Sequence, residues 1–264
     1  MADYVAIAKI FEERVKEVDY YETRAAVQLK EELLFTLKNE TRQLLFLVGV
    51  PGCGKSVFLE RLPQVLDQNY RVIRYDSPFF EPVDFVRSLI LKSGHEVAEY
   101  SLEAMIRQAV QIYKKSDAIV AIDEAQLLSK EMVELLRILA DSRAFWFLLA
   151  MHKHESKKIL SQPQFRSRPH RILRMGRMEF DETREFIANA LLKAKAVLFE
   201  RDFSKALSKE IFAIAKGNFR DTKKILNKMF LMMDYARKID RPKYQKPSRC
   251  LVRMAAIDGG VLDI

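Results

Sequence analysis

The stretch "GVPGCGKS" (49–56) directly follows the apolar run "LLFLV" (44–48) and precedes a helical pattern at about 55–67. It fits G-x-x-x-x-G-K-[ST] in the strand-to-helix setting that this loop needs in order to hold phosphate. Gly49, Gly52 and Gly54 free the backbone to turn, so that successive N–H groups face phosphate oxygens. Pro51, Cys53 and Val57 complete the loop and its entry into the helix. The helix N-terminus adds partial positive charge. In such a loop Lys55 pairs with the β- and γ-phosphates and the Ser56 hydroxyl ligates Mg²⁺. Cys53 reads as a small residue at a tolerant position, although a nearby helix N-terminus also lowers a thiol pKa.

A second stretch, "AIVAIDEAQLLS" (118–129), supplies acids. Its apolar start is a buried strand, and Asp123 and Glu124 stand at the C-terminal end, where open α/β sheets bind ligands. Asp123 is placed to hold Mg²⁺ through water, and Glu124 to orient and polarise an attacking water. A water-activating acid directly after the metal-holding one favours hydrolysis of a nucleoside triphosphate over transfer to a metabolite.

Outward from these motifs the pattern alternates. Strands are expected at 44–48, 70–76, 118–123, 145–151 and 171–175, with helices at 55–67, 82–93, 101–114 and 131–140. That alternation predicts an α/β fold with a parallel sheet and helices on both faces. From about 179 only helical patterns follow: "DETREFIANALLKAKAV", opened by Asp181 as N-cap, "SKALSKEIFAIAKG", closed by Gly217, and "RDTKKILNKMFLMMDYARK". The expected organisation is an N-terminal amphipathic helix (1–20), an α/β domain (21–178), a small all-α lid (179–239) and a basic tail (240–264). The amphipathic helix presents Ile7, Ile10, Phe11, Val15 and Val18 on one face, which packs on the protein's own surface or docks on a partner. Pro242, Pro247, Gly259 and Gly260 make the tail read as irregular.

Composition excludes several classes. With two cysteines, Cys53 and Cys250, the chain has no disulfide framework and no cysteine metal site, which fits a reducing, cytoplasmic location. No apolar run approaches the roughly 20 residues of a membrane span, so no integral membrane segment is expected. Charge is uneven. Residues 1–151 hold 19 Lys and Arg against 23 Asp and Glu, a balance of −4, whereas residues 152–264 hold 26 against 13, a balance of +13. A basic second half suits a solvated surface or an anionic partner such as nucleic acid or phospholipid.

"GVPGCGKS", "IDEAQ" and "GNFRDTKKIL" (217–226), in this order and spacing, resemble a AAA+ ATPase over about 20–238. "YYETRAAVQLKEELLFTL" and "DEAQLLS" are similar to the general secretion pathway A-type (ExeA-like) ATPases, a group close to the MuB and TniB type ATPases of transposition. The resemblance implies a P-loop NTPase fold with a five-stranded 5-1-4-3-2 sheet, a helical lid, and ATP and Mg²⁺ as cofactors. It further implies that Arg220 is a sensor-2 arginine touching the γ-phosphate in its own subunit. The strand 145–151 would be the sensor-1 strand, with His152 as its polar end, where the family has Asn, Thr or Ser.

"FRSRPHRI" (165–172) falls where this family supplies an arginine to the neighbouring subunit. Arg168 is favoured by the clamp-loader-like Ser167-Arg168, with Pro169 replacing a Cys. The secretion-type alignment points to Arg166 and Arg171. A guanidinium stays charged and forks across phosphate oxygens, which suits it to transition-state charge. A trans-acting finger requires a homo-oligomer, ring or filament. Two functions remain open. One is an assembly ATPase for a type II secretion or DNA-uptake envelope machine, held peripherally at the inner membrane through a membrane-protein partner. The other is a DNA-binding ATPase that forms rings or filaments on duplex DNA and directs a transposase.

Overall fold

The computed structural model describes residues 3–12, 21–66, 69–161, 169–196 and 203–263. They form two compact units, Gln28–Gly176 and the pair of segments Met1–Val27 with Arg177–Ile264. One division falls within the helix α2 (Arg24–Asn39) and the other just after the last strand.

The first unit is built on strands β1 (Leu44–Gly49), β2 (Tyr70–Tyr75), β3 (Asp117–Ile122), β4 (Phe145–His152) and β5 (His170–Met175). Their order is β2-β3-β4-β1-β5, and every neighbouring pair is parallel. This is the order expected from the AAA+ resemblance. The central strands β1 and β4 are buried almost end to end because both sheet faces are covered. The edge strand β5 alternates instead: Leu173 and Met175 are buried, while Arg171 and Arg174 are exposed.

Helices α3 (Lys55–Val65), α4 (Pro82–Lys92), α5 (Leu102–Tyr113), α6 (Lys130–Asp141) and α7 (Lys153–Leu160) connect the strands. Ser101 and Ser129 cap α5 and α6 through their hydroxyls, which accept from Ala104 N at 3.3 Å and Met132 N at 3.2 Å. The apolar faces of α4, α5 and α6 close one core with the sheet, joining Phe85, Leu89, Met105 and Leu136 to Phe46, Val120 and Phe147. Each such side chain contributes roughly 1.5–3 kcal/mol on burial.

The second unit contains α1 (Tyr4–Ile10), α8 (Phe180–Lys193), α9 (Lys205–Ala215), α10 (Phe219–Lys238) and α11 (Arg249–Asp258). The N-terminal helix belongs to this unit's core. Ile7 and Phe11 are buried and Ile10 is half-buried, while Val15 and Val18 lie outside the described residues. Phe11 stacks on Phe230 with centroids 6.0 Å apart, and the Asn227 amide donates to Ala8 O at 2.8 Å.

Two local expectations are corrected. The N-cap of α8 is Glu179 and not Asp181, because Glu179 and Glu182 satisfy each other's backbone N–H groups in a reciprocal box. Asp181 sits in the first turn, where its negative charge complements the positive end of the helix dipole. The stretch 240–264 is not irregular throughout. Ser248 caps α11, and Leu251, Val252, Ala255 and Ala256 are buried in the same core as α10. The prolines precede this helix and the glycines follow it, so they punctuate it without breaking it.

Gly217 ends α9 at φ +72, and its carbonyl accepts from Met178 N at 2.9 Å. A Cβ there would drive into Met178 O, so the junction needs glycine for space as well as for backbone sign. Gly260 also has positive φ, at +64, but nothing lies near its missing Cβ. We expect Gly217→Ala to cost about 3 kcal/mol and Gly260→Ala about 1 kcal/mol, read by urea denaturation with circular dichroism.

Candidate active site

Because all five strands are parallel, their C-terminal ends share one edge. β1 delivers Gly49 there and the chain turns through Gly52 at φ +76 and Gly54 at φ +106 into α3. A Cβ on Gly49 would stand 2.6 Å from Cys53 Sγ and 2.9 Å from Met175 O, so the loop folds back over its own strand and against β5. Cys53 is buried in that fold-back. Gly54 is the N-cap of α3 and brings no capping side chain. The first turn of α3 then presents N–H groups and a positive dipole end, the setting for phosphate. Lys55 is buried, and its ammonium donates to Gly49 O and Val50 O, each at 3.1 Å, which holds it over the loop. Ser56 is exposed one residue further on. Pro51 is exposed and Val57 half-buried.

β3 delivers the acids two strands away, with β4 between. Asp123 is buried; its N–H donates to Tyr75 O at 2.9 Å, and its Oδ1 accepts from Glu124 N at 2.9 Å. Burial pushes the Tyr75 phenol up to about 12, so it stays neutral beside this strand end. Glu124 has φ +51 and leads into a single turn of 3₁₀ helix, Ala125–Leu127. Its side chain is 38% exposed.

His152 ends β4 in register with Gly49. Its Nε2 lies 3.7 Å from Glu124 Oε2. The geometry therefore brings Gly49, His152 and Glu124 along one edge. Gln126 is a residue that sequence reasoning missed. Its amide donates to Glu124 Oε2, and its Oε1 accepts from His152 N at 3.3 Å. The signal available was its place at the end of "IDEAQ", two positions after the acid, and its reach to β4 is a tertiary fact.

The arginines are placed differently. Arg166 and Arg168 lie outside the described residues. Arg171 is opposite Leu45 on β5, while Met175 is opposite Gly49. Four residues of strand put Arg171 roughly 13 Å from the phosphate-loop edge. There its guanidinium pairs with Glu40. Arg220 belongs to the helical unit, in the first turn of α10, whose N-cap Asn218 accepts from Arg220 N at 3.0 Å and Asp221 N at 3.3 Å.

The donors also suit magnesium. Ser56 and Asp123 offer hard oxygen atoms, and among the described residues no group of three or more His, Cys, Asp or Glu could form a metal cage. One carboxylate, one hydroxyl and substrate phosphates are how proteins usually hold Mg²⁺.

Residues 38–160 match the family model of the AAA domain. These residues have the AAA P-loop NTPase fold, an ATPase fold that takes ATP and Mg²⁺ as its nucleotide and ion. No curated protein matches the sequence. Solved structures share the fold. Cdc6p from Pyrobaculum aerophilum is 17% identical with a TM-score of 0.63, over 88% of this chain and 66% of that one. The ORC2 protein of Aeropyrum pernix, in ADPNP-ADP complexes, is 15% identical with a TM-score of 0.64, over 97% and 72%. Drosophila ORC bound to DNA is 13% identical with a TM-score of 0.64, over 97% and 66%. This chain thus spans about two thirds of the length of these structures.

Lys55→Ala removes the ammonium from the loop. A charged hydrogen bond is worth about 1.5–3 kcal/mol, so ATP affinity should fall roughly 100-fold, measured by titration with a fluorescent ATP analogue. Gly49→Ala should also weaken ATP binding, because the new Cβ must displace either Cys53 or the β5 backbone.

Proposed function

We propose that the protein is an oligomeric ATPase that works on duplex DNA. The observation that carries this reading is the charge on the helical unit. Arg241, Lys243, Lys246 and Arg249 are all exposed within nine residues, and among the described residues none of them pairs with a carboxylate. They belong to a half of the chain with a balance of +13, while the half with the phosphate loop and the acids has −4. Several unneutralised cations on one short stretch suit a phosphate backbone. The likeness in fold to ORC bound to DNA supports the same reading. Directing a transposase is the use that the MuB and TniB resemblance suggests.

In this reading the phosphate loop and Lys55 bind the β- and γ-phosphates. Ser56 and Asp123 hold Mg²⁺, which neutralises charge on those phosphates when bound. Glu124 orients the attacking water and draws its proton. Arg220 senses the γ-phosphate of its own subunit. An arginine of 165–171, with Arg168 first, then Arg166 and Arg171, acts on the nucleotide of the neighbour. The Arg171 location, far along β5 from its own phosphate loop, agrees with a role in trans and opposes one in cis.

A second reading is an assembly ATPase of a secretion or DNA-uptake machine. It rests on the motif resemblance at 21–38 and 123–129. No helix among the described residues is long and apolar enough to cross a membrane, so this role calls for a membrane-protein partner.

Two experiments test the proposal. Fluorescence anisotropy on a labelled duplex should give an affinity that falls about tenfold or more between 50 and 200 mM salt, and exchanging Arg241, Lys243, Lys246 and Arg249 for Ala should flatten that slope. Salt-independent binding, or none, would remove DNA as the partner. Mixing Lys55→Ala subunits with Arg168→Ala subunits should restore hydrolysis that neither shows alone, because one supplies the finger and the other the site. No restoration would remove Arg168 from a role in trans.

A further inference from the structure

The hydrogen bonds around Glu124 assign a role to Gln126, the last residue of the "IDEAQ" stretch, which the motif reading left without one. We propose that Gln126 is a positioning residue that ties Glu124 to the end of β4 and fixes the direction of its carboxylate. The inference rests on the reading of Glu124 as the water-orienting base.

Three observations carry it. First, Glu124 stands in a left-handed conformation at φ +51, before a 3₁₀ turn of only three residues. Neither a strand ladder nor a full helix fixes its side chain. Second, Gln126 bonds in both directions. Its Nε2 donates to Glu124 Oε2, and its Oε1 accepts from His152 N at 3.3 Å. The amide has one useful orientation here, because a flipped group would set its oxygen against a carboxylate and its NH₂ against an N–H. Third, the far anchor is a backbone N–H at the last residue of β4, in register with Gly49 of the phosphate loop. The tie therefore references the Glu124 carboxylate to the strand beside the phosphate loop. With Oε2 engaged by Gln126 and 3.7 Å from His152 Nε2, the direction of Oε1 is set as well. A base must lie within hydrogen-bond reach of the proton it takes, so a small rotation of this carboxylate removes most of its effect.

The test is single-turnover ATP hydrolysis with enzyme in excess, together with MgATP affinity, for Gln126→Ala, Gln126→Glu, Glu124→Gln and the double variant Glu124→Gln/Gln126→Ala. Gln126→Ala should lower the hydrolysis rate about tenfold while MgATP affinity stays within about twofold. Gln126→Glu keeps the size but cannot donate to the carboxylate, so it should fall at least as far. In the Glu124→Gln background, Gln126→Ala should cause no further loss, because its effect passes through Glu124. The proposal is overturned by a Gln126→Ala or Gln126→Glu rate within twofold of the parent, by an equal fractional loss in the Glu124→Gln background, or by a fall in affinity that accounts for the fall in rate. A full rate in Glu124→Gln alone would instead reject Glu124 as the base, an outcome visible without any Gln126 variant.

Discussion

The turn at Gly49 is the constraint on which the site depends. β1 lies inside the sheet, so its chain must leave the C-terminal edge between β4 and β5 in a space with no room for a side chain. Cys53 fills that space from one side and the Met175 backbone from the other. The reversal turns the loop N–H groups and the α3 N-terminus toward one point, and Lys55 is drawn in by the loop's own carbonyls. Burying an ammonium is costly unless its donors are used, and two backbone oxygens use them. A parallel sheet then makes one edge serve everything else. β3 brings Asp123 and Glu124, β4 brings His152, and β2 offers the carbonyl that orients Asp123.

The helical unit follows separate rules. Its core joins the two ends of the chain: Phe11 stacks on Phe230, and the α11 side chains Leu251 and Val252 fill the same cluster. Outside this core, Arg241, Lys243, Lys246 and Arg249 stand exposed. Arg237 and Lys238 share Asp234 as partner, whereas among the described residues the four cations that follow pair with no carboxylate. That difference separates charge used for local structure from charge open to a partner.

Much of this was legible in the sequence. The central strands were marked by apolar runs and the edge strands β2 and β5 by apolar residues alternating with arginines, and the phosphate loop and Asp-Glu pair fell on strand ends because the motif spacing requires it. The fold order came with the resemblance and agrees with the observed pairing. What the sequence hid was tertiary. Gln126 looks like a surface residue until β4 brings a backbone N–H to it. Asp181 is a good N-cap by type but loses to the Glu179–Glu182 pair, whose spacing satisfies two backbone groups at once. The tail looked irregular because its prolines and glycines were weighed above the four apolar side chains of α11, and burial against α10 decided the matter.

Our proposal is that DNA sets a basic, oligomeric ATPase to work. It is tested most directly by the ATP hydrolysis rate per subunit as a function of protein concentration, with and without duplex DNA, at low and moderate salt. The account predicts a rate that climbs with concentration, rises several-fold with DNA, and loses that rise as salt increases. A rate per subunit that is flat in concentration and indifferent to DNA would contradict it.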